Sequence, residues 1–221
     1  MSETKNPPLS AELYAYVLAN NPPLDPVQQR LVESTHALFP DNAVKQVPGE
    51  QAALLAFLVR LTGARHVVEV GTFTGLSALA MARALPADGR LITLDISEEW
   101  TAHARTAWAE AGVADRIDLR IAPALDSLRA MPAEPHIDLA FLDANKDGYI
   151  AYWEELVPRL RPGGLLIVDN VLFFGTVVDP TVTDGSGAAV REFNAHALAD
   201  KRMESVMLTV ADGVTLARRV G

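Results

Sequence analysis

The fold class predicted by this sequence is α/β: a seven-stranded, mostly parallel sheet with an antiparallel edge strand, helices on both faces, and a helical N-terminal extension. Three observations carry that expectation. Short β-branched runs alternate with helical stretches of about ten residues from His66 onward, the pattern of βαβ units in a sheet covered on both faces. Most of these runs end on an acidic or amide residue or on glycine. The last two apolar runs flank Ala211-Asp212-Gly213, a hairpin signal that adds the antiparallel strand.

The elements follow in order. Residues 1–48 carry prolines at 7, 8, 22, 23, 26, 40 and 48, which punctuate two helices, Ala11–Ala19 and Pro26–Leu38. Leu54, Leu55, Leu58 and Leu61 give Glu50–Leu61 a helical apolar spacing. The predicted strands are His66–Val70, Leu91–Leu94, Ile117–Ile121, Ile137–Leu142, Leu165–Val168, Val206–Val210 and Val214–Ala217. The intervening helices are Leu76–Leu85, Glu98–Ala111, Ala124–Met131, Tyr149–Leu160 and Ala188–Leu198. Arg161-Pro162-Gly163-Gly164 reads as a turn before the fifth strand. One domain is expected, with 1–48 as the extension and 49–221 as the core.

Composition narrows the function. The 221 residues are 49% hydrophobic and carry a net charge of −9, with no Lys/Arg run longer than a pair. Such an anion is a poor general ligand for nucleic acid or anionic lipid. With no cysteine, disulfides, thiolate nucleophiles and Cys-ligated metals are excluded. No apolar stretch approaches transmembrane length, and MSETKNPPLS lacks the apolar core of a signal peptide, so a soluble cytoplasmic protein is expected.

In sheets of this class ligands bind at the carboxyl ends of the strands, near the switch in strand order. There the sequence places Glu69-Val70-Gly71, Asp95, Ala122, Asp143 and Asp169-Asn170. Any one acid at a strand end can be a helix cap; four polar ends on one rim suggest a site. Gly71 and Gly75 allow a tight turn and close backbone approach, but their G-x-x-x-G spacing is not the G-x-G-x-x-G of dinucleotide folds. Asp95, at the end of the second strand, stands where a carboxylate accepts both ribose hydroxyls; capping before Ser97 is its bland alternative. No G-x-x-x-x-G-K-[ST] occurs.

Glu69-Val70-Gly71-Thr72-Phe73-Thr74-Gly75-Leu76-Ser77 followed by Leu94-Asp95 resembles the cofactor segment of class I S-adenosylmethionine-dependent methyltransferases, which have a Rossmann-like fold. Asp143-Ala144-Asn145-Lys146-Asp147-Gly148-Tyr149 resembles the D-A-D-K-x-x-Y signature of the cation-dependent O-methyltransferases, the caffeoyl-CoA and catechol type. Val168-Asp169-Asn170 matches their second metal motif, and Asp212–Arg218 their closing strand. The resemblance runs from about Val47 to the C-terminus. It implies S-adenosyl-L-methionine as cosubstrate, with Glu69, Gly71, Thr72, Ser77, Asp95 and Ala124 around it and a backbone contact at Val47. Asn145 replaces the family's second aspartate: it still hydrogen-bonds but loses a charge beside the sulfonium. Phe174 stands where plant members often carry a substrate-binding Asn.

Asp143, Asp169 and Asn170 offer three oxygen ligands from adjacent strand ends, suited to a hard divalent cation, Mg²⁺ foremost with Ca²⁺ or Mn²⁺ as alternatives. A phenol on such a cation loses its proton more easily. Lys146, which matches the family's base, would take that proton, with Asp143 beside it; the bland alternative is a surface lysine pairing with Asp147. Asp143 to Glu154 also satisfies the EF-hand pattern, but Pro132 and Pro135 and the β-type run Ile137–Leu142 forbid the helix that must enter such a loop. The five histidines show no metal spacing, and His66 is expected in the core. The tryptophans, Trp100, Trp108 and Trp153, lie on helices and read as core or interface.

The expected function is therefore cation-assisted methyl transfer to a hydroxyl of a small vicinal aromatic diol. The alternatives are a nicotinamide-dependent oxidoreductase on the same strand–turn–helix start and a non-catalytic cofactor-binding protein. Val171–Gly187 contains no Lys or Arg, and Lys5, Arg30 and Lys45 are spread far apart along the N-terminal region, which favours an uncharged acceptor over a CoA thioester. A homodimer is expected from the family and from the apolar stretch Val171–Val178.

Overall fold

The computed structural model describes residues 8–221; the chain's polar start, with Lys5, lies outside them. In the N-terminal extension, α1 (Ala11–Ala19) is capped by Ser10. Helix α2 (Pro26–Leu38) opens on Asp25 and Gln28, which form a reciprocal capping box ahead of a proline at the first turn. The core then alternates: α3 (Gly49–Thr62), β1 (His66–Val70), α4 (Leu76–Ala84), β2 (Arg90–Asp95), α5 (Glu98–Glu110), β3 (Ile117–Ile121), α6 (Ala124–Arg129), β4 (Ile137–Leu142), α7 (Tyr149–Arg159), β5 (Leu160–Asp169), α8 (Gly185–Ala199), β6 (Met203–Leu208) and β7 (Val214–Arg219). No helix among the described residues is long and apolar enough to cross a membrane.

The seven strands form one sheet in the order β3-β2-β1-β4-β5-β7-β6. Strands β1 to β5 run parallel, and β7 pairs antiparallel with β5 and with β6. The expected seven-stranded, Rossmann-like architecture is the observed one. One apolar cluster joins α3, α4 and α5 to a face of the sheet through Leu55, Leu79 and Trp108. A second joins α6, α7 and α8 to the other through Leu128, Trp153 and Phe193. Central strands read as continuous apolar runs because both faces are covered. Within β1, Val67 lies in the first cluster and Val68 and Val70 in the second, so the period-two alternation turns Glu69 toward the α3–α4 face.

Three expectations need correction. Strand β5 begins at Leu160, not Leu165. Arg161–Gly164 is an irregularity inside the strand, where the register with β4 shifts between Ile137 and Leu139. Gly163 bends it at φ +79°, and a Cβ on Gly164 would sit 2.8 Å from the Arg161 carbonyl. The C-terminal hairpin pairs Met203–Leu208 with Val214–Arg219, so its loop is longer than the Ala-Asp-Gly signal. His66 is exposed at the first position of β1, its backbone N–H bonded to Asp138, and is no part of the core. Of the tryptophans, Trp108 and Trp153 are buried, whereas Trp100 stands half-buried near the β2 end.

The order switches direction between β1 and β4. The Asp143 N–H donates to the Val70 carbonyl, and Gly71 N–H to the Leu94 carbonyl. Gly71 has φ +96°, and a Cβ there would lie 1.8 Å from the Asp143 carbonyl oxygen. Only glycine lets the two loops pack this closely. Gly71→Ala should therefore cost roughly 3 kcal/mol or more, a fall in Tm of about 6–12 °C for a chain of this size. A calorimetric Tm within about 2 °C of wild type would contradict this packing.

Candidate active site

Glu69 is fully buried at the end of β1. Its Oε2 accepts from the Thr93 hydroxyl on β2, which is itself bonded to Thr72, while Oε1 has no hydrogen-bond partner. Burial pushes the Glu69 carboxyl up to about 8, the nearby Asp143 and Asp95 push the same way, and the Ser77 and Thr93 hydroxyls oppose it. An unpartnered, buried carboxyl oxygen near the end of β1 is the kind of group a ligand's N–H or O–H satisfies.

Asp95 shows the capping role and more. Its Oδ2 accepts the N–H groups of Thr72 (3.0 Å) and Phe73 (2.8 Å), and its Oδ1 those of Ile96 (2.7 Å) and Ser97 (2.8 Å). Phe73 is held in the left-handed region, φ +49°. All four lone-pair directions are occupied, so any hydroxyl bound there must share them. Ala124 opens α6 after β3, and Asn145 Oδ1 accepts from the Tyr152 hydroxyl at 2.7 Å.

The ends of β4 and β5 meet around one cation. Lys146 Nζ donates to Asp143 Oδ1 (2.9 Å), Asn170 Oδ1 (2.5 Å) and the Tyr149 hydroxyl (2.6 Å), and Tyr149 in turn donates to the Asp169 carbonyl at 3.1 Å. The surface pairing of Lys146 with Asp147 does not occur. Burial first, then repulsion from Asp143, raises the Asp169 carboxyl to about 7; burial raises the Tyr149 phenol well above its usual range. The entry to this loop is a strand, as the rejection of an EF-hand requires. Among the described residues no three His, Cys, Asp or Glu gather as a metal cluster. Asn170 completes a set of two carboxylates and one amide oxygen instead. The Asp143 and Asn170 oxygens already converge on one positive nitrogen, and the other carboxyl, Asp169, is destabilised by its neighbour's charge, so the donor set fits a hard divalent cation.

A cavity of about 240 Å³ opens beside Asp169 and Asn170, walled by Val44–Pro48, Gln51, Phe174, Ala211 and Asp212. Another, about 300 Å³, lies between Pro22–Asp25 and α3, away from the strand ends. The first is the one that meets the chemistry. One of its features was discounted in the sequence reading and two escaped it. Lys45 lines it, its Nζ 4.6 Å from the Trp100 ring, so the mouth does hold a cation. Asp212 accepts Phe174 N–H (2.6 Å) and Asn170 Nδ2 (3.3 Å), which pins two consecutive left-handed phenylalanines, Phe173 and Phe174. Gln51 stands in its wall, fully buried. Each belongs to a loop or helix start that comes near the site only through the fold; the Asp-Gly of the hairpin was the one visible signal. The N-terminal extension is tied to the glycine loop through Gln46 Nε2, which donates to Thr35 and Thr74 hydroxyls at 3.0 and 2.9 Å.

Comparison with known proteins matches residues 21–220 to a family model described as O-methyltransferase. The chain is 37% identical to caffeoyl-CoA O-methyltransferase 2 of Zea mays, over 96% of this chain and 84% of that one. It is 37% identical to catechol O-methyltransferase domain-containing protein 1 of Mus musculus, over 97% and 82%. Among solved structures it superposes with TM-score 0.85 at 32% identity on the O-methyltransferase TomG of Streptomyces achromogenes, involved in tomaymycin synthesis and solved in complex with SAM; 95% of this chain and 96% of that one are covered.

The buried carboxyls set a pH dependence. Folded Glu69 keeps a proton up to about pH 8, whereas the unfolded chain releases it near 4.5. Its stabilisation is complete below the unfolded value and lost as pH rises through the folded one; Asp169, raised to about 7, acts with the same sign. The Tm of the ligand-free, metal-free protein should therefore fall between about pH 5 and pH 8.5, and Glu69→Gln should flatten that slope. A Tm that rises over the interval would refute the assignment.

Proposed function

This chain belongs to the O-methyltransferase family, and on that footing we propose that it methylates one hydroxyl of a small catechol-like acceptor, using S-adenosyl-L-methionine and a divalent cation, Mg²⁺ foremost. The observation that carries the reading is the convergence of Asp143, Asn170 and Tyr149 oxygens on Lys146 beside a cavity of about 240 Å³.

Glu69 would hold the methyl donor through its free Oε1, with the Gly71–Thr72 turn against it and Ser77 and Asn145 nearby. Asp143, Asp169 and Asn170 would hold the cation, which when bound supplies positive charge that eases ionisation of the acceptor hydroxyl. Lys146 Nζ would take the hydroxyl proton as the neutral amine, after losing one proton to solvent and its bonds to Asp143 and Asn170 to the cation. The phenolate oxygen then bonds to the methyl carbon as the carbon–sulfur bond breaks, leaving S-adenosylhomocysteine. The protein's remaining work is alignment: donor at the β1 end and acceptor at the β5 end, in line across the rim. Phe174, 70% exposed at the mouth, offers an aromatic face to a ring. Lys45 at the same mouth favours a second reading, an acceptor bearing an anionic tail such as a CoA thioester. Side-by-side kcat/KM for a free catechol and its CoA ester separates the two.

Lys146→Met should lower kcat on a catechol by roughly 10²-fold or more while S-adenosylhomocysteine binds within a few-fold of wild type. EDTA should abolish turnover and Mg²⁺ restore it. Full activity in EDTA removes the cation from the mechanism; no binding of S-adenosylhomocysteine by calorimetry removes the donor.

A homodimer belongs to the same reading. Strand β6 is a sheet edge whose Val206 and Met207 are exposed, and Phe57 and Leu61 on α3 add further apolar surface. Light scattering at micromolar concentration should give twice the 23.8 kDa chain mass; a monomer mass refutes it.

A further inference from the structure

We propose that Gln51 binds the acceptor: its amide, buried and unpartnered in the cavity wall beside Asp169, receives the hydroxyl adjacent to the one that is methylated. The assignment rests on the methyltransferase reading of this cavity.

Gln51 is the third residue of α3, directly after the Val44–Pro48 segment that lines the same cavity. Its side chain is 1% exposed, yet neither Oε1 nor Nε2 has a hydrogen-bond partner. Buried polar groups in folded proteins nearly always have partners, and each exception calls for a reason. The neighbouring polar groups are already committed. Gln46 is spent on Thr35 and Thr74, Asn170 on Lys146 and Asp212, and Asp169 Oδ1 on the Asn170 N–H. Among the described residues lining the cavity, Gln51 alone leaves buried side-chain polar atoms unmatched. The amide faces the Asp169 carboxyl and steadies its charged form, without reaching hydrogen-bond geometry. Both ends of the amide therefore remain unpaired in the wall, available to a ligand hydroxyl.

That chemistry selects a ligand. An amide presents a donor and an acceptor side by side, which complements a hydroxyl, itself both. A ring stacked toward Phe174 with one hydroxyl at Lys146 would carry its vicinal hydroxyl toward the β5 end, where Gln51 stands. A compound lacking that second hydroxyl leaves the amide unpaired, the arrangement that gives polar sites their selectivity. The same logic makes Gln51 a liability in the free protein, since an apolar side chain of equal size in its place removes an unmet hydrogen-bonding demand.

Gln51→Met, with Gln51→Leu as the second variant, tests this on the full chain with Mg²⁺. The expected result is an acceptor KM raised roughly tenfold for a catechol, kcat within about threefold and S-adenosylhomocysteine affinity within about twofold of wild type. The Tm of the ligand-free protein should be equal or higher, a readout that a packing role would move downward. Unchanged acceptor KM in a folded variant overturns the proposal. So does a loss of S-adenosylhomocysteine affinity with KM unchanged, which would assign Gln51 to the methyl donor. Wild type that binds S-adenosylhomocysteine but methylates no vicinal diol overturns it together with the acceptor reading, whereas wild type that fails to bind it overturns the functional reading first.

Discussion

The closeness of the Gly71 backbone to the Asp143 carbonyl organises the rest of the molecule. Strands β1 and β4 are neighbours in the sheet, and the loops leaving them must diverge to opposite faces. Where they part, no atom larger than hydrogen fits between them. Locked there, the glycine loop cannot drift from the Asp143–Lys146 loop. Asp95 then fastens the glycine loop's other side with two backbone N–H bonds, from Thr72 and Phe73. The rim is thus held by one close backbone contact and by one side-chain carboxylate that grips backbone N–H groups.

On that rim the electrostatics are deliberately unbalanced. Glu69 and Asp169 are both buried and raised, Asp143 adds to the strain on each, and Asp95 adds to that on Glu69. Among the described residues Lys146 is the cation bonded at the β4–β5 end, shared among Asp143, Asn170 and Tyr149. Such a site gains stability when positive charge arrives. A sulfonium donor and a divalent cation both bring it, so the ionisation state of the free protein already anticipates the chemistry proposed for it.

Much of this was legible in the residues. Helix and strand order followed from periodicity, because each helix of the core buries one face and each central strand both. The rim was legible too, since polar residues ending apolar strands have few other places to go. The errors came where backbone geometry competes with composition. Arg161-Pro162-Gly163-Gly164 has the chemistry of a turn, yet pairing with β4 keeps it inside a strand and turns the excess residues into an irregularity. His66 sits in a β-branched run, but at its first position, before the helices cover the sheet. Gln51 and Asp212 were invisible as site residues, and Lys45 looked isolated, because the 44–51 stretch and the hairpin loop lie far apart in the chain and only tertiary placement gives them a common cavity.

The bridge of Gln46, Thr35 and Thr74 has a consequence for how such a protein can diversify. The wall carrying Val44–Pro48 comes from outside the sheet and is stitched to the donor-side loop by side chains whose partners are one another. Substitutions on the outward faces of that segment leave the stitching in place. A lineage can therefore retailor the mouth, residue by residue, while inheriting the strand ends unaltered. Insertions within Phe39–Val47 are another matter, for they would pull Gln46 out of register with Thr74 and disturb both halves at once. Variation in this family member should be sought in the identity of the wall's residues and not in its length.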